Sequence, residues 1–328
     1  MKAIVCTKYG SPDVLQLKEV EKPTPKDNEV LAKVHAASLN AADLETLRGT
    51  WSARFGGPLR PGYEIPGSDI AGRVEAVGRN VKQLQPGDEI WGDLSFPYGH
   101  GTFAEYVCVS ENALALKPGS MTFEEASTYP QSAIIPLQTL RGKGQVQPGQ
   151  KVLINGAGGG MGTFAVQLAK YFGAEVTCVD HTRKLDMLRS IGADHVIDYT
   201  QEDYTKSGQR YDLILDVVAY RSIFDYWRAL SPEGSFFIVG GPLATFLQVV
   251  LLGALISRIG SKKLGLNAYE PNKEEDLAFL AELFEAGKVV PVIDRRYPLH
   301  EVPEAFRYLE EGHALGKVVI TMEHNSKT

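Results

Sequence analysis

A glycine-rich segment between an apolar run and a helix constrains this chain more than any other feature. It reads KVLINGAGGGMGTFAVQLAKYFGAEVTCVD from Lys151 to Asp180, and five of the seven residues from Gly156 to Gly162 are glycine. The apolar run Lys151–Asn155 predicts a buried strand, and the apolar spacing after the glycines predicts an amphipathic helix. A strand, a tight turn and a helix within about 30 residues are typical of one unit of a parallel sheet.

Short apolar segments and amphipathic helices continue to alternate after this unit. Further strands are predicted at 176–179, 195–198, 212–216 and 235–239. This alternation indicates an α/β domain in which helices cover both faces of a doubly wound parallel sheet, that is, a Rossmann domain.

The two ends of the chain have a different character. The first 120 residues read as strands separated by Gly, Pro and Asp, beginning with Ala3–Cys6, Leu15–Glu19 and Glu29–Ala36. The tail holds a strand, a helix and a strand, which is too little for a domain of its own. We therefore predict one domain from residues 1–122 and 289–328, and an inserted nucleotide-binding domain from residues 123–288.

The glycine-rich loop suits a dinucleotide. The fingerprint G-x-G-x-x-G falls on Ala157, Gly159 and Gly162, with Ala at its first position. Such a loop lets the backbone approach a pyrophosphate, which the N–H groups of the helix N-terminus can then bind. The predicted cofactor-binding residues in the loop are Ala157, Gly158, Gly159, Gly160, Met161 and Gly162. The alternative is a glycine-rich turn that binds no ligand.

The end of the second strand of this domain leaves the choice of cofactor open. Asp180, 18 residues past Gly162, would accept hydrogen bonds from the ribose hydroxyls of NAD(H) and repel a 2′-phosphate. Arg183 and Lys184 would instead clasp the 2′-phosphate of NADP(H), or would form only a solvated helical turn. The sequence therefore does not decide between NAD(H) and NADP(H) as the cofactor.

Composition and charge limit the classes of partner that this protein can bind. The chain has 328 residues, 44% of them apolar, and a net charge of −6, which argues against nucleic acid as a partner. Three scattered cysteines and an N-terminus without signal-peptide features predict a cytoplasmic protein. The apolar stretch Leu243–Ile256 is too short to span a membrane. We expect a buried helix or a contact between copies there, with membrane contact as the alternative.

Motifs along nearly the whole chain resemble one family. They are LNAADLETLRG, PGSDIAGRVEAVG, QPGDEIWG, GTFAEYV, VLINGAGGGMG, IGADHVIDY and GKVVI. Together they resemble the medium-chain dehydrogenase/reductase superfamily, and most of all its zinc-free quinone oxidoreductase branch, which includes zeta-crystallin. The resemblance runs from Met1 to about Met322. It implies a GroES-like β-barrel catalytic domain made from both ends of the chain, with the Rossmann domain between them, and a homodimer or homotetramer.

The zinc ligands of that superfamily have no counterpart in this sequence. Zinc-dependent members place Cys where this chain has Asn40 and His where it has Ser68. Neither residue belongs to the usual set of zinc ligands, and a single nearby His100 is not a site, so we predict no metal. Without a Lewis acid the oxidation of a simple alcohol is disfavoured, whereas a quinone or an α,β-unsaturated carbonyl can take a hydride directly.

The resemblance also implies roles for individual residues. Asn40 would donate its amide to the substrate carbonyl or only cap a turn, and Asp43 would take part in the chemistry or only orient its neighbours. Ser68, beside Asp69, would relay a proton or bond only to backbone. Lys317 would clamp the domains or be only a surface cation. Further cofactor contacts are implied for Gln131, Val218, Ala219, Gly240, Gly241 and Lys317.

Three positions depart from the family pattern. Glu45 stands where many members have Tyr, so the proton donor is not assigned; Ile135-Pro136 replaces Thr-Ala, and Tyr220 follows Val218-Ala219. The predicted function is a zinc-independent, NAD(P)H-dependent reduction of quinones or α,β-unsaturated carbonyls by direct hydride transfer, in a cleft between the domains. The alternatives are a nucleotide-binding structural or sensor protein without turnover, and an alcohol dehydrogenase with a recruited metal.

Overall fold

The computed structural model describes residues 1–95, 98–267 and 269–323. The chain divides into two compact units. Unit 1 comprises Met1–Gln131, Pro271–Ala281 and Ile293–Thr328, and unit 2 comprises Ser132–Glu270 and Glu282–Val292.

The part of unit 1 that precedes unit 2 is built mainly from strands. These are β1 (Lys2–Val5), β2 (Gln16–Glu19), β3 (Glu29–Leu39), β4 (Asp69–Val77), β5 (Glu89–Asp93), β6 (Tyr106–Ser110) and β7 (Ala115–Leu116). The helices here are α1 (Ala41–Arg48) and α2 (Phe123–Ser127), with 3₁₀ turns at Pro12–Val14, Ala53–Phe55 and Glu111–Ala113.

Strands and helices alternate through unit 2. Its strands are β8 (Lys151–Asn155), β9 (Glu175–Asp180), β10 (His195–Asp198), β11 (Tyr211–Asp216), β12 (Leu230–Ile238) and β13 (Lys263–Leu266). Its helices are α3 (Ile134–Leu137), α4 (Gly160–Tyr171), α5 (Leu185–Ser190), α6 (Ile223–Ala229), α7 (Leu243–Gln248) and α8 (Ala254–Ile259). Helical turns of other pitch lie at Gln138–Lys143, Thr182–Lys184 and Val249–Gly253.

The chain then returns to unit 1. The elements that follow β13 are α9 (Glu274–Glu285), β14 (Ile293–Pro298), a 3₁₀ turn at Leu299–Glu301, α10 (Val302–Glu310) and β15 (Lys317–Thr321). β15 pairs antiparallel with β3, with Val318 opposite Leu39. The C-terminal strand therefore completes a sheet that the N-terminal residues begin.

Unit 1 has the GroES-like fold. Its main sheet has seven strands in the order β14-β15-β3-β4-β5-β7, with β6 also paired to β3. The alternating apolar residues of these strands bury a core that includes Ile70, Phe103 and Phe306. Because β3 has partners along both edges, its C-terminal end is held firmly, and α1 begins directly after it.

Unit 2 is a Rossmann-type domain. Its six strands are all parallel and lie in the order β10-β9-β8-β11-β12-β13. The strand order reverses between β8 and β11, and ligands of such sheets bind beyond the carboxyl ends of the strands at that point. Leu153 of β8, Ile214 of β11 and Phe236 of β12 are fully buried, as expected for a sheet covered on both faces.

Two details differ from the sequence-based expectation. Unit 1 extends past the predicted border at residue 122, because α2 packs on β3 through a stack of Phe123 on His35 with ring centroids 4.3 Å apart. The apolar stretch Leu243–Ile256 is not one buried helix. It is helical throughout, with a π-helical segment at Val249–Gly253, and it leaves Leu247 and Leu251 exposed, at 49% and 68%. Among the described residues, none of the helices is both long enough and apolar enough to cross a membrane.

Candidate functional site

The glycine-rich loop of unit 2 follows β8 at the point where the strand order reverses. Gly156 has φ +79°, a conformation that favours glycine, and it turns the chain sharply after Asn155. A Cβ on Gly162 would lie 2.3 Å from the carbonyl oxygen of Gly156. The first turn of α4 therefore packs directly on the loop, and only glycine permits this approach.

Four N–H groups of the loop are already bonded within the protein. Those of Gly156 and Ala157 donate to the carbonyl of Val179, that of Gly158 donates to Asp180, and that of Gly159 donates to the carbonyl of Gly156. Ala157 is also fully buried. The sequence analysis predicted Ala157 and Gly158 as cofactor contacts, and the structure gives their N–H groups internal partners instead.

The first turn of α4 is the part of the loop suited to an anion. Its N-cap is Gly159, which has no side chain to occupy the helix end. By the geometry of an α-helix, the first N–H groups, from Gly160 to Gly162, have no partner within the helix. A Cβ added at Gly159 would meet only the Gly156 carbonyl, at 3.7 Å. This open helix end fits the pyrophosphate of a dinucleotide.

Asp180 closes the loop from the end of β9. Its Oδ2 accepts the 2.7 Å hydrogen bond from Gly158, and its Oδ1 accepts one of 2.8 Å from the N–H of His181. Nζ of Lys184 lies 3.6 Å from Oδ1, and both side chains are buried. Two residues that were predicted to bind the cofactor thus contact each other, whereas Arg183, between them, is exposed.

The ends of β11 and β12 bring four predicted residues together. The N–H of Ala219 donates to the carbonyl of Gly240 at 2.9 Å, and a Cβ on Gly241 would lie 2.5 Å from the carbonyl of Ala219. Val218 is half-exposed, and its side chain lies over Gly156. These residues line the same carboxyl edge of the sheet as the glycine-rich loop.

Sequence reasoning missed a buried carboxylate at this edge. Oδ1 of Asp216, the last residue of β11, accepts hydrogen bonds from the side chain of Asn155 at 2.8 Å and from the N–H of Val218 at 3.0 Å. Burial raises the pKa of Asp216 to about 6. An acid that ends the apolar run of a buried strand was the available signal, and Asp216 ties the ends of β8 and β11 together.

In unit 1, Asn40 lies at the centre of a buried polar network. Its Nδ2 donates to Oδ2 of Asp69 at 2.9 Å and to Oγ of Ser68 at 3.4 Å. Its Oδ1 accepts a 2.7 Å hydrogen bond from Nζ of Lys317. Asn40 and Ser68 are only 7% and 2% exposed. The polar atoms of Asn40 are therefore engaged inside unit 1, so its predicted donation to a substrate would require breaking one of these bonds.

Asp69 joins this network to its surroundings. Its Oδ2 also accepts from the hydroxyl of Ser38 at 3.0 Å, and its Oδ1 accepts from the N–H of Gln131 at 3.2 Å. Burial raises the pKa of Asp69 to about 6, and the nearby ammonium of Lys317 opposes that rise. Gln131, predicted as a cofactor contact, thus holds Asp69 through its backbone.

Asp43 lies one helical turn from Asn40. Its Oδ2 accepts a 2.8 Å hydrogen bond from the N–H of Asn40, which fixes the start of α1. Burial raises the pKa of Asp43 to about 7. The side chain borders a cavity of about 20 Å³ beside Tyr63 and His100, large enough for one water molecule. Its predicted role of orienting neighbouring groups suits this position.

Lys317 is neither a surface cation nor exposed to a cofactor, because it is 1% exposed. Its Nζ donates to the carbonyl of Leu39 at 3.1 Å as well as to Asn40, and it lies 3.6 Å from Oδ2 of Asp69. The register of β15 on β3 causes this, since the Val318–Leu39 pair places Lys317 beside Asn40. The predicted contact of Lys317 with the cofactor stays a prediction.

The described residues offer no cluster of metal ligands. Within 1–95, 98–267 and 269–323, no group of three or more His, Cys, Asp or Glu side chains is arranged to hold a metal ion. The amide of Asn40 is bonded to the charged groups of Asp69 and Lys317, and the hydroxyl of Ser68 accepts a hydrogen bond from that amide. These residues do not fit a zinc ion.

Comparison with known proteins places these features in context. The family described as alcohol dehydrogenase GroES-like domain matches residues 26–119, and the family described as zinc-binding dehydrogenase matches residues 191–320. The chain is 38% identical to the 2-methylene-furan-3-one reductase of Solanum lycopersicum, over 98% of this chain and 79% of that protein. It is 34% identical to the chloroplastic NADPH-dependent alkenal/one oxidoreductase of Arabidopsis thaliana, with the same two coverages.

A solved structure is similar over the whole length. The quinone oxidoreductase of Coxiella burnetii superposes with a TM-score of 0.88 at 29% identity, covering 98% of this chain and 99% of that one. The combination of a GroES-like unit with a Rossmann unit is therefore shared with an enzyme that is named for quinone reduction.

Proposed function

This chain belongs to the medium-chain dehydrogenase/reductase superfamily, in its quinone oxidoreductase branch, and we propose that it reduces quinones or α,β-unsaturated carbonyls without zinc. It is an NAD(P)H-dependent oxidoreductase of the quinone or enone reductase type. The zinc independence, the direct transfer of hydride and the roles of individual residues are parts of this proposal.

One observation carries the proposal: Ser68 and Asn40 form a hydrogen-bonded pair in unit 1. The Ser68 hydroxyl accepts from the Asn40 amide, so its own hydrogen can be donated to an oxygen that gains negative charge. The same pair is a poor ligand set for zinc. The geometry therefore supports a reaction that needs a donor to an oxyanion more than it needs a Lewis acid.

The residues of the two units have distinct tasks in this reaction. When bound, a reduced nicotinamide supplies a hydride to an electron-poor carbon of the substrate. The N–H groups from Gly160 to Gly162 would hold the pyrophosphate, and Gly240 and Gly241 leave room for a ribose. The hydroxyl of Ser68 would donate to the carbonyl oxygen as it becomes negative. The proton that completes the product is assigned to solvent.

We further propose that the protein prefers NADPH. The carboxylate of Asp180 accepts hydrogen bonds from two backbone N–H groups and faces the loop. The ammonium of Lys184 lies against it and partly neutralises its charge. A carboxylate held in this way repels a 2′-phosphate less than one that faces the ribose. The exposed guanidinium of Arg183 is free to approach a phosphate from solvent.

The test is a coenzyme and acceptor panel on purified protein. Oxidation of NADPH and NADH is followed at saturating coenzyme against several quinones, enals and enones, with the metal content of the same sample measured. We expect at least one acceptor to be reduced with NADPH by protein that holds no stoichiometric zinc. A protein that binds a coenzyme tightly but oxidises neither with any acceptor would instead be a binding or sensor protein.

Two further predictions stay open. Activity that depends on a bound metal and on alcohol substrates would favour the alcohol dehydrogenase alternative. The predicted cytoplasmic location also remains a prediction, since the Arabidopsis relative is named as chloroplastic. Microscopy of the full-length tagged protein would test it.

A further inference from the structure

We propose that Lys317 is a positioning residue for the reduction: its ammonium polarises the amide of Asn40, which in turn strengthens the hydroxyl of Ser68 as a donor to the substrate oxygen. This inference rests on the proposed function. The chain of groups runs from Nζ of Lys317 to Oδ1 of Asn40 over 2.7 Å, and from Nδ2 of Asn40 to Oγ of Ser68 over 3.4 Å.

The orientation of the Asn40 amide is fixed by its neighbours. An ammonium can only donate hydrogen bonds, so Oδ1 must face Lys317. An ionised carboxylate can only accept them, so Nδ2 must face Asp69, at 2.9 Å. In the flipped amide, Nδ2 would face the donor Nζ of Lys317 and Oδ1 would face the acceptor Oδ2 of Asp69, so neither hydrogen bond could form. The second N–H of the amide is thereby directed at Ser68.

This orientation gives the hydroxyl of Ser68 a defined polarity. Oγ accepts from Asn40, which leaves its own hydrogen to be donated elsewhere. A hydroxyl that accepts a hydrogen bond is a stronger donor, and an amide whose oxygen binds a cation has more acidic N–H groups. Ser68, Asn40 and Lys317 are 2%, 7% and 1% exposed, so water screens these effects little.

Asp69 and Lys317 have different effects on the amide. Asp69 accepts one N–H and so sets the orientation, but its negative charge weakens the other N–H as a donor. The ammonium of Lys317, which donates to Oδ1 of Asn40, makes that N–H a stronger donor again. It also lowers the free-energy cost of burying the Asp69 carboxylate, whose Oδ2 lies 3.6 Å away. Lys317 therefore raises the donor strength of Ser68, whereas Asp69 lowers it.

The experiment is a double-mutant cycle on the full-length protein. Lys317→Met, Ser68→Ala and the double variant are assayed with saturating NADPH and the best acceptor from the panel, and the NADPH Kd is measured by fluorescence. Each single variant should lose kcat by about tenfold or more, with the NADPH Kd unchanged. The double variant should be no slower than the slower single variant, because both substitutions interrupt one chain of groups.

A matched control separates this effect from the loss of any buried lysine. Lys117 also lies in unit 1 and is 9% exposed, and its Nζ donates to the carbonyls of Pro118 and Met121 at 2.9 and 2.6 Å. Lys117→Met should lower the thermal midpoint while kcat stays at the wild-type value. If Lys117→Met reduces kcat as much as Lys317→Met, the effect is structural and the inference is wrong.

A second variant covers the case in which Lys317→Met does not fold. Asp69→Asn combined with Lys317→Met removes the buried pair of charges together, so folding should survive. This variant should keep its NADPH affinity and remain slow. Wild-type kcat in this variant, or multiplicative losses in the cycle, would overturn the role of Lys317 while leaving the proposed function intact. A wild-type protein that reduces no acceptor overturns the proposed function itself.

Discussion

The N–H of Gly158 donates a 2.7 Å hydrogen bond to the carboxylate of Asp180. The residue that was expected to bind the ribose of the cofactor therefore also shapes the glycine-rich loop that we propose binds the pyrophosphate. Lys184 lies against the same carboxylate and Arg183 is exposed, so under the proposed preference for NADPH Arg183 would be the cation that binds the 2′-phosphate.

Arg183→Ala should raise the Kd for NADPH by about tenfold or more and leave that for NADH unchanged, since only NADPH carries the 2′-phosphate. Titration of the protein against both coenzymes by fluorescence measures this. Arg189→Ala is the control, because Arg189 is exposed in the following helix and pairs with Asp186. Equal losses for both coenzymes would show that Arg183 acts on the fold and not on the phosphate.

Gly159→Leu should abolish coenzyme binding, with Kd rising roughly 100-fold or more, while the fold is kept. A Cβ at Gly159 has only an ordinary contact at 3.7 Å in the protein, so the added side chain would occupy the place of the pyrophosphate. Calorimetry with NADPH and NADH measures the loss, and circular dichroism checks the fold.

Gly142→Leu is the matched control for this substitution. Gly142 is also in unit 2, and a Cβ there would meet nothing within 4 Å. It should bind coenzyme like the wild type. Unchanged affinity in Gly159→Leu would refute the assignment of the loop to the pyrophosphate.

Asp43→Asn should stabilise the protein at high pH and not at low pH. Burial raises the pKa of Asp43 from 3.8 to about 7. The unfolded state thus loses its proton near pH 4 but the folded state near pH 7, so the wild type is destabilised progressively as pH rises between these values. An Asn has no proton to lose. The gain of the variant should grow to at most ~4 kcal/mol by pH 8.

Urea midpoints of the wild type and Asp43→Asn from pH 4.5 to 8.5 provide this comparison. The Asn oxygen can still accept from the N–H of Asn40, so the start of α1 is kept. A difference in midpoint that does not vary with pH would mean that Asp43 is ionised in the folded protein throughout this range.

Treatment with EDTA and 1,10-phenanthroline should leave the rate of NADPH oxidation unchanged. The reason is that an amide and a hydroxyl are poor zinc ligands, and the amide of Asn40 is already bonded to Asp69 and Lys317. Elemental analysis of the same sample checks that zinc is far below one ion per chain. A rate that falls with chelator and returns with added zinc would contradict the prediction.

The Rossmann unit was largely predictable because its strands are continuous apolar runs with clear ends. The predicted strands Lys151–Asn155 and His195–Asp198 have those bounds in the structure. β12 begins at Leu230 instead of the predicted 235. Leu230 already pairs with Tyr211 of β11, and the register then shifts across Pro232 and Gly234 before Ser235 pairs with Leu213. The polar strand β13 was missed, since Lys263–Leu266 has no apolar run.

The buried network of unit 1 could be foreseen only in part. The motifs pointed to Asn40 and Ser68, but the partner of Asn40 is Lys317, 277 residues away in the sequence. Their contact depends on the register between β3 and β15, which no local pattern fixes. In the same way, the sequence identified Asp180 as a candidate without showing which way its carboxylate turns.

The late position of Lys317 has a consequence for biosynthesis. The ribosome completes the glycine-rich loop and the Asn40–Ser68 pair long before it adds the strand that carries this ammonium. A chain in which β15 has not docked on β3 therefore lacks the ammonium that contacts the Asn40 amide. If Lys317 acts as we propose, a chain in which β15 has not yet docked turns over about tenfold more slowly than the folded protein, and it therefore consumes fewer reducing equivalents.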